Sequence, residues 1–201
     1  MAEPSTLERL TKGQKTRLKL LAAAASEFAE KGEAARVSDM VARLGLTQPA
    51  FYRHFESKEH ARVEVIEDFR TRLRSLIVNS LIPESVKASG IEATTAVTLV
   101  NMLHFLDENR NTMMVAFIQE PEGSATRAEL VDLIAVNVKR EIASGQFRPD
   151  VSAKLFAEIM VGIIAQVIRS PITRGRREKQ GKQIAELLLN GAKAGPEMSG
   201  S

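Results

Sequence analysis

Apolar residues recur every three or four positions along most of the chain, and this spacing predicts α-helices. Strand-like alternation of apolar and polar residues is absent over any useful length. The first predicted helix, residues 16–31, carries an apolar face made of Leu20, Leu21, Ala24 and Phe28. It ends before Gly32, a residue type common just past a helix end. The pattern predicts an all-α fold of about nine helices.

Two short helices separated by a few residues follow. The first runs from Ser38, its expected N-cap, to about Leu44. The second starts after Thr47 as N-cap and ends near His54. Pro49 lies in its first turn, where the missing N–H costs nothing. Two short helices joined by a tight turn predict a helix-turn-helix, in which the first helix braces the second.

The remaining periodicity predicts longer helices, and Ser57 is expected to cap the first of them. Their expected ranges are 58–81, 91–108, 112–119, 126–144, from 150 or 152 to 169, and 177–192. Thr-Arg-Ala-Glu at 126–129 has the form of a capping box, which predicts that a helix begins there. We expect a flexible arm over 1–12, a helix-turn-helix domain over 13–57, a larger helical domain over 58–194 and a flexible tail over 195–201.

Composition excludes several kinds of chemistry. The chain has 201 residues, of which 44% are hydrophobic, enough for one or two compact domains. It has no cysteine, so disulfides, thiolate metal sites and thiol nucleophiles are excluded. Three scattered histidines and no phosphate-cradling glycine loop predict no catalytic site, no metal site and no cofactor. Without a signal-peptide core or an apolar run of about 20 residues, a cytoplasmic location is expected.

Charge is unevenly distributed, although the net charge is only +3. Residues 1–62 hold eleven Lys or Arg against eight Asp or Glu, and residues 63–168 hold ten against fourteen. Residues 169–193 are basic again, with seven against two. A basic N-terminal segment with an acidic middle is consistent with a nucleic-acid-binding domain attached to a body that has another role.

The second short helix carries side chains suited to reading double-stranded DNA. Phe51 and Phe55 lie four residues apart and can anchor one face of this helix to the first helix, which leaves polar residues on the other side. Gln48 can pair with adenine N6 and N7, and Arg53 can reach guanine or phosphate. The major groove, about 12 Å wide, admits one such helix. The alternative is a solvated helix with no partner.

Further candidates extend this surface. Small apolar side chains suit thymine methyl groups, while polar aromatic tips, helix N-termini and a basic arm suit phosphates. On these grounds the candidate DNA-binding residues are Lys15, Arg17, Ser38, Thr47, Gln48, Pro49, Ala50, Tyr52, Arg53, His54 and Lys58.

The stretches TRLKLLAAAASEFAEKG and VSDMVARLGLTQPAFYRHFESKE resemble the DNA-binding domain of the tetracycline-repressor (TetR) family of bacterial regulators. The resemblance spans about residues 16–62, and LGLTQPAFYRHFESKE is its most specific part. It implies a homodimer that binds a palindromic operator and has a variable C-terminal ligand domain. Glu33 and Val37 depart from the family's usual residues, so no phosphate contact is carried over to Val37.

Methionine and large apolar residues are frequent in the middle of the chain. Because methionine adapts to varied shapes, they can line a cavity for a small, mostly apolar effector, or simply fill the core. The candidate ligand-binding residues are Met102, Phe105, Leu106, Met113, Met114, Phe117, Ile134 and Val138. Asn101, His104 and Asn137 can supply polar contacts or be exposed or bonded within the core.

The last two helices carry apolar stripes beyond what one chain can cover, which suggests a dimer interface of four helices. The candidate interface residues are Leu155, Ile159, Gly162, Ile163, Gln166, Ile184, Leu187 and Leu188. A purely intramolecular core is the alternative.

Two hypotheses follow. The chain is a transcriptional repressor that a small-molecule effector releases from its operator, with helix 58–81 as the lever. Alternatively, it is an architectural or adaptor protein that binds DNA constitutively and has no effector pocket. A helical enzyme or carrier with an incidental helix-turn-helix is a remote third possibility.

Overall fold

The computed structural model describes residues 10–83, 85–169 and 174–192, and these residues form nine α-helices without a β-strand. The helices are α1 Lys12–Lys31, α2 Val37–Ala42, α3 Gln48–Tyr52, α4 Lys58–Val78, α5 Ala88–Glu108, α6 Arg110–Met113, α7 Glu122–Ala143, α8 Ala153–Arg169 and α9 Arg174–Ala192. The all-α prediction is confirmed. Most of the predicted arm and the whole of the predicted tail lie outside the described residues.

The chain divides into two compact units. The first unit contains the described residues up to Thr71 together with Arg110–Gly123. The second unit contains Arg72–Asn109 and the described residues from Ser124 onward. The predicted helix-turn-helix segment therefore lies whole within the first unit, while the domain boundaries proposed from the sequence stay a prediction.

The core of the first unit is built from the residues that helical spacing selected. Its most deeply buried side chains include Leu20, Ala24, Phe28, Met40, Phe51 and Phe55. Leu21, which belongs to the predicted apolar face of the first helix, is only half-buried, and so is Leu44. Gly32, expected just past the end of the first helix, and Gly45, in the turn between α2 and α3, have φ of 55° and 64°, a conformation that other residues adopt at a cost.

Helices α1, α5 and α9 begin three or four residues earlier than predicted, and two residues predicted to cap helices do not do so. Helix α2 begins at Val37 with Arg36 as its N-cap, so Ser38 lies inside the helix. Helix α7 begins at Glu122, which places Thr126 in its second turn, 2% exposed. Ser57 does cap α4, because its Oγ accepts the His60 N–H at 2.9 Å.

The segment predicted as one helix over 112–119 is not a regular α-helix. Helix α6 ends at Met113 and continues as a π-helical turn, Met114–Ile118. Met113, Val115 and Phe117 are buried there, in the first unit. The wider π turn lets these large side chains face the core together.

In the second unit, α5 and α9 pack closely. The buried guanidinium of Arg177 in α9 donates to both carboxylate oxygens of Asp107 in α5, at 2.7 and 2.8 Å, and also to the Val167 carbonyl at 2.9 Å. Gly181 permits the close approach, because a Cβ atom there would lie 2.8 Å from a methyl of Val100. No helix in the described part of the chain is both long and apolar enough to cross a membrane.

Candidate functional site

Helix α3 is held in the first unit by aromatic packing. Phe51 and Phe55 are at most 1% exposed, and their ring centroids are 5.0 Å apart. Tyr52 meets the edge of the Phe51 ring at 5.5 Å but is 53% exposed. The predicted anchors are therefore buried, and the neighbouring residue faces outward.

The outer face of α3, which we call the α3 face, consists of Thr47, Gln48, Pro49, Tyr52 and Arg53, and all five are exposed. Within the described residues, the side chains of Gln48 and Arg53 make no hydrogen bond or ion pair. An exposed amide, phenol and guanidinium on one short helix can exchange water for the base edges and phosphates of DNA.

The other candidates near this face are placed differently. Ala50 is only 6% exposed and packs into the core, so it does not offer the methyl contact expected of it. His54 is half-exposed, and Lys15 is exposed at the start of α1. Ser38 is exposed, and its hydroxyl donates to Asp39 Oδ1 at 3.3 Å rather than capping a helix.

Two of the candidate cations already have partners inside the first unit. Arg17 pairs with Glu64, and its guanidinium lies 5.0 Å from the centroid of the Phe55 ring. Lys58 Nζ donates to the Glu33 carbonyl at 3.0 Å. Both side chains hold the unit together, so any contact with DNA requires that they share or exchange these partners.

An ion cluster that the sequence analysis missed holds α2 against α1. Glu27 is buried, and Arg43 pairs with it at 2.9 Å and with Glu30 at 2.6 Å. Lys31 pairs with Glu27 and also with Asp39, at 2.8 Å. The hydrogen bond from Lys31 holds the pKa of Asp39 below its usual value. The four-residue spacing of Glu27 and Lys31 was the available signal.

A second missed contact involves Arg62. Its guanidinium lies 5.5 Å from the centroid of the Phe28 ring and donates to Glu122 at 3.3 Å. Burial works to raise the pKa of Glu122, but the hydrogen bond from Arg62, a backbone hydrogen bond and the charges of Arg62 and Arg70 together outweigh it and lower the pKa. This pair fixes the start of α7 within the first unit.

A cavity lies inside the second unit and encloses about 670 Å³, counting its open mouth. It is lined by Ile77, Ser80, Ile82, Thr95, Thr98, Leu99, Met102, Ile134, Asn137, Val138, Glu141, Phe147, Phe156, Met160, Ile164 and Leu188. A mostly apolar wall with a few polar groups is the usual composition of a small-molecule site.

Three of the eight candidate ligand-binding residues line this cavity, namely Met102, Ile134 and Val138. Phe105 and Leu106 belong to the second unit but are not among the lining residues. Met113, Met114 and Phe117 lie in the first unit, where they do not line it. They were placed with the cavity because their composition matched, but composition cannot tell one core from another.

The three polar candidates, Asn101, His104 and Asn137, lie in different environments. Asn137 lines the cavity, and its Nδ2 donates to the Ile77 carbonyl at 2.9 Å. Asn101 is exposed, and His104 lies 3.9 Å from the Glu178 carboxylate. The sequence analysis missed Glu141, the one ionisable residue among the described lining residues. Burial raises the pKa of Glu141 to about 7, against the opposing effect of a hydrogen bond from the Ile82 N–H.

Helices α8 and α9 leave part of their apolar surface uncovered. Leu155, Ile159 and Leu187 are 55%, 46% and 77% exposed, and Gly162 and Gln166 are exposed beside them. Ile163 and Ile184 are half-buried. Leu188, grouped with them in the prediction, lines the cavity instead. We call the exposed set the α8–α9 face.

Residues 20–61 match the family model of bacterial regulatory proteins of the tetR family. Over 184 residues the chain is 30% identical to YdgC of Bacillus subtilis (strain 168), an uncharacterized HTH-type transcriptional regulator. That match covers 90% of this chain and 94% of YdgC. The chain belongs to the TetR family and is a DNA-binding transcriptional regulator, so it is not an enzyme.

Solved structures share the fold. The SmeT–triclosan complex matches with a TM-score of 0.70 and 19% identity, over 94% of this chain and 98% of that one. A gamma-butyrolactone receptor (ArpA like protein) matches with a TM-score of 0.69 and 19% identity, over 91% of this chain and 90% of that one. The ketosteroid transcriptional regulator KstR2 of Mycobacterium tuberculosis matches with a TM-score of 0.64 and 21% identity, over 90% of this chain and 96% of that one. At these identities the likeness shows the fold alone.

Proposed function

We propose that this regulator is a repressor that binds a palindromic operator as a homodimer and leaves it when a small, mostly apolar effector binds. The α3 face carries the DNA-binding half of this proposal. Gln48 and Arg53 are exposed and make no polar contact with the described residues. Gln48 lies at the N-terminal end of α3, the end of a recognition helix that contacts base edges in related motifs.

The α8–α9 face supports the homodimer. Large apolar side chains exposed on two helices, Leu155 and Ile159 on α8 and Leu187 on α9, are typical of an interface. A two-fold pairing of this face would form a four-helix arrangement and give a dimer that carries two copies of α3. Replacing Leu187 by Glu should move the chain from dimer to monomer in sedimentation. An unchanged dimer would place the interface elsewhere.

The cavity supports the effector. SmeT has been solved with triclosan, a small and largely apolar molecule, in the same fold. Here the cavity is lined mainly by Ile, Leu, Val, Met and Phe, which suits a ligand of that character. Release from DNA requires that the effector bind more tightly to the conformer that cannot bind the operator.

The test begins by selecting bound fragments from genomic DNA with the full chain. The double variant Gln48→Ala/Tyr52→Ala should then bind the selected site about a hundredfold or more weakly, since each good base contact contributes about 1–3 kcal/mol. Asn101→Ala, at an exposed position in the second unit, is the matched control. Unchanged affinity in the double variant would refute the assignment of the α3 face.

The alternative, a constitutive architectural or adaptor protein, can be tested with the same chain and the same selected DNA. A metabolite screen against the bound complex separates the two, because only an effector-controlled repressor releases its operator. If compounds bind in the cavity and none of them changes the affinity of the chain for its operator, the alternative is favoured.

A further inference from the structure

Two polar groups of the cavity, the Ser80 hydroxyl and the Glu141 carboxylate, offer a ligand mainly hydrogen-bond acceptors. Ser80 has one hydroxyl hydrogen, and it is used on the Ile77 carbonyl at 2.7 Å. The Glu141 carboxylate lies near the backbone N–H of Ile82, and when ionised it carries only acceptor lone pairs. Both groups can therefore only accept hydrogen bonds from a ligand when Glu141 is ionised.

The cavity also contains an unused polar atom. Thr95 Oγ1 is buried and has no hydrogen-bond partner among the described residues. An unpaired buried hydroxyl is costly and is normally satisfied by water or a ligand. Its position in the lining supplies a second anchor for a polar group on a bound molecule.

Two aromatic rings complete the wall. Phe147 and Phe156 both line the cavity, with ring centroids 5.6 Å apart. The faces of aromatic rings attract cations. No Lys, Arg or His occurs among the described lining residues, so this wall offers a ligand no positively charged side chain. An anionic ligand would meet the Glu141 carboxylate with no compensating positive charge.

We propose that the cavity selects a small apolar molecule carrying one protonated amine, whose ammonium group pairs with the Glu141 carboxylate while its apolar body packs among the Phe147 and Phe156 rings. This inference deepens the effector site of the proposed function and rests on it. A charged donor compensates the buried carboxylate, which burial alone would disfavour. The apolar wall then selects for the body of the molecule.

The experiment compares three molecules that share one apolar body, phenylbutylamine, phenylbutanol and phenylbutanoate, in calorimetric titrations of the full chain at about pH 8. The amine should bind at least roughly tenfold more tightly than the alcohol, and the acid should bind most weakly. In Glu141→Gln, which keeps an acceptor for the Ile82 N–H, the preference for the amine over the alcohol should disappear.

The exposed Glu108 provides the matched control, because Glu108→Gln removes the same charge from the same unit without altering the cavity. This variant should keep the wild-type preference. The affinity for the amine should also rise between about pH 6 and about pH 8 in the wild type but not in Glu141→Gln.

The alcohol separates failure of this inference from failure of the proposed function. If the alcohol binds and the amine binds no better, or if the preference survives in Glu141→Gln, the role of Glu141 is overturned while the cavity stands. If no molecule of the set binds, the amine inference is overturned and the effector site itself loses its support. If the amine binds but operator affinity does not change, the amine inference stands and effector-controlled release fails.

Discussion

In α3, the residues that pack into the core and the residues that face solvent are different. In the cavity, by contrast, the same residues form the core and the surface that a ligand would contact. Phe51 is fully buried, and Tyr52, the next residue, is 53% exposed. In the second unit, Met102, Ile134 and Val138 are core residues and also form the wall of the cavity. Substitutions should therefore separate folding from binding in the first unit and couple them in the second.

The largest expected effect tests this separation in α3. Phe51→Ala should lower the free energy of unfolding by about 3–5 kcal/mol, because it removes a fully buried ring. Tyr52→Ala should change it by no more than about 0.5 kcal/mol, since the side chain is mainly exposed. Urea denaturation of both variants measures the difference. Comparable losses in the two neighbours would show that the outer face of α3 is also structural.

The second effect concerns Glu141. Its pKa in the folded chain, about 7, exceeds the ordinary value of 4.5, so the folded state binds the proton more tightly than the unfolded state. Stability from this group is therefore full below about pH 4.5 and is lost as the pH rises through about 7. Between these limits the wild type should lose on the order of 2–3 kcal/mol relative to Glu141→Gln.

Urea denaturation of wild type and Glu141→Gln at several pH values measures this loss, with Glu108→Gln as a control that should follow the wild type. Parallel pH profiles for wild type and Glu141→Gln would mean that the carboxyl is hydrated in the folded chain.

The smallest expected effect concerns the contribution of Arg53, on the α3 face, to DNA binding. Arg53 is the C-cap residue of α3, at the opposite end from Gln48, so we expect it to contact phosphate rather than base edges. Arg53→Ala should weaken binding to all DNA sequences similarly and reduce the slope of log affinity against log salt by about 1. Fluorescence anisotropy over a salt series measures it. A loss confined to the selected operator would instead indicate a base contact.

The same comparison explains what the sequence could predict. The helix-turn-helix depends on neighbouring residues, namely the spacing of Phe51 and Phe55, the proline in the first turn and the glycine before it. Local physics determines these features, so they were predictable. The errors lay in the caps, because Ser38 resembles a cap and yet α2 begins one residue earlier.

The cavity depends on contacts between distant segments, which periodicity does not reveal. Met113 and Phe117 have the composition of a cavity wall but pack in the other unit. Glu141 could have been noticed, because it follows Ile134 and Val138 at helical spacing on the apolar side of α7. A carboxyl in that position requires either a partner or a proton.

The seam between α5 and α9 limits how the second unit can move. Gly181 lies against Val100, and Arg177 is bonded to both oxygens of Asp107, so α9 has a single register on α5. Sliding by one helical turn would drive a larger side chain into Val100 and strand a buried guanidinium. These contacts oppose sliding of α9 along α5, so a ligand that reshapes the cavity should displace the walls contributed by other segments, which include Ile77 near the end of α4 and the lining residues of α7 and α8.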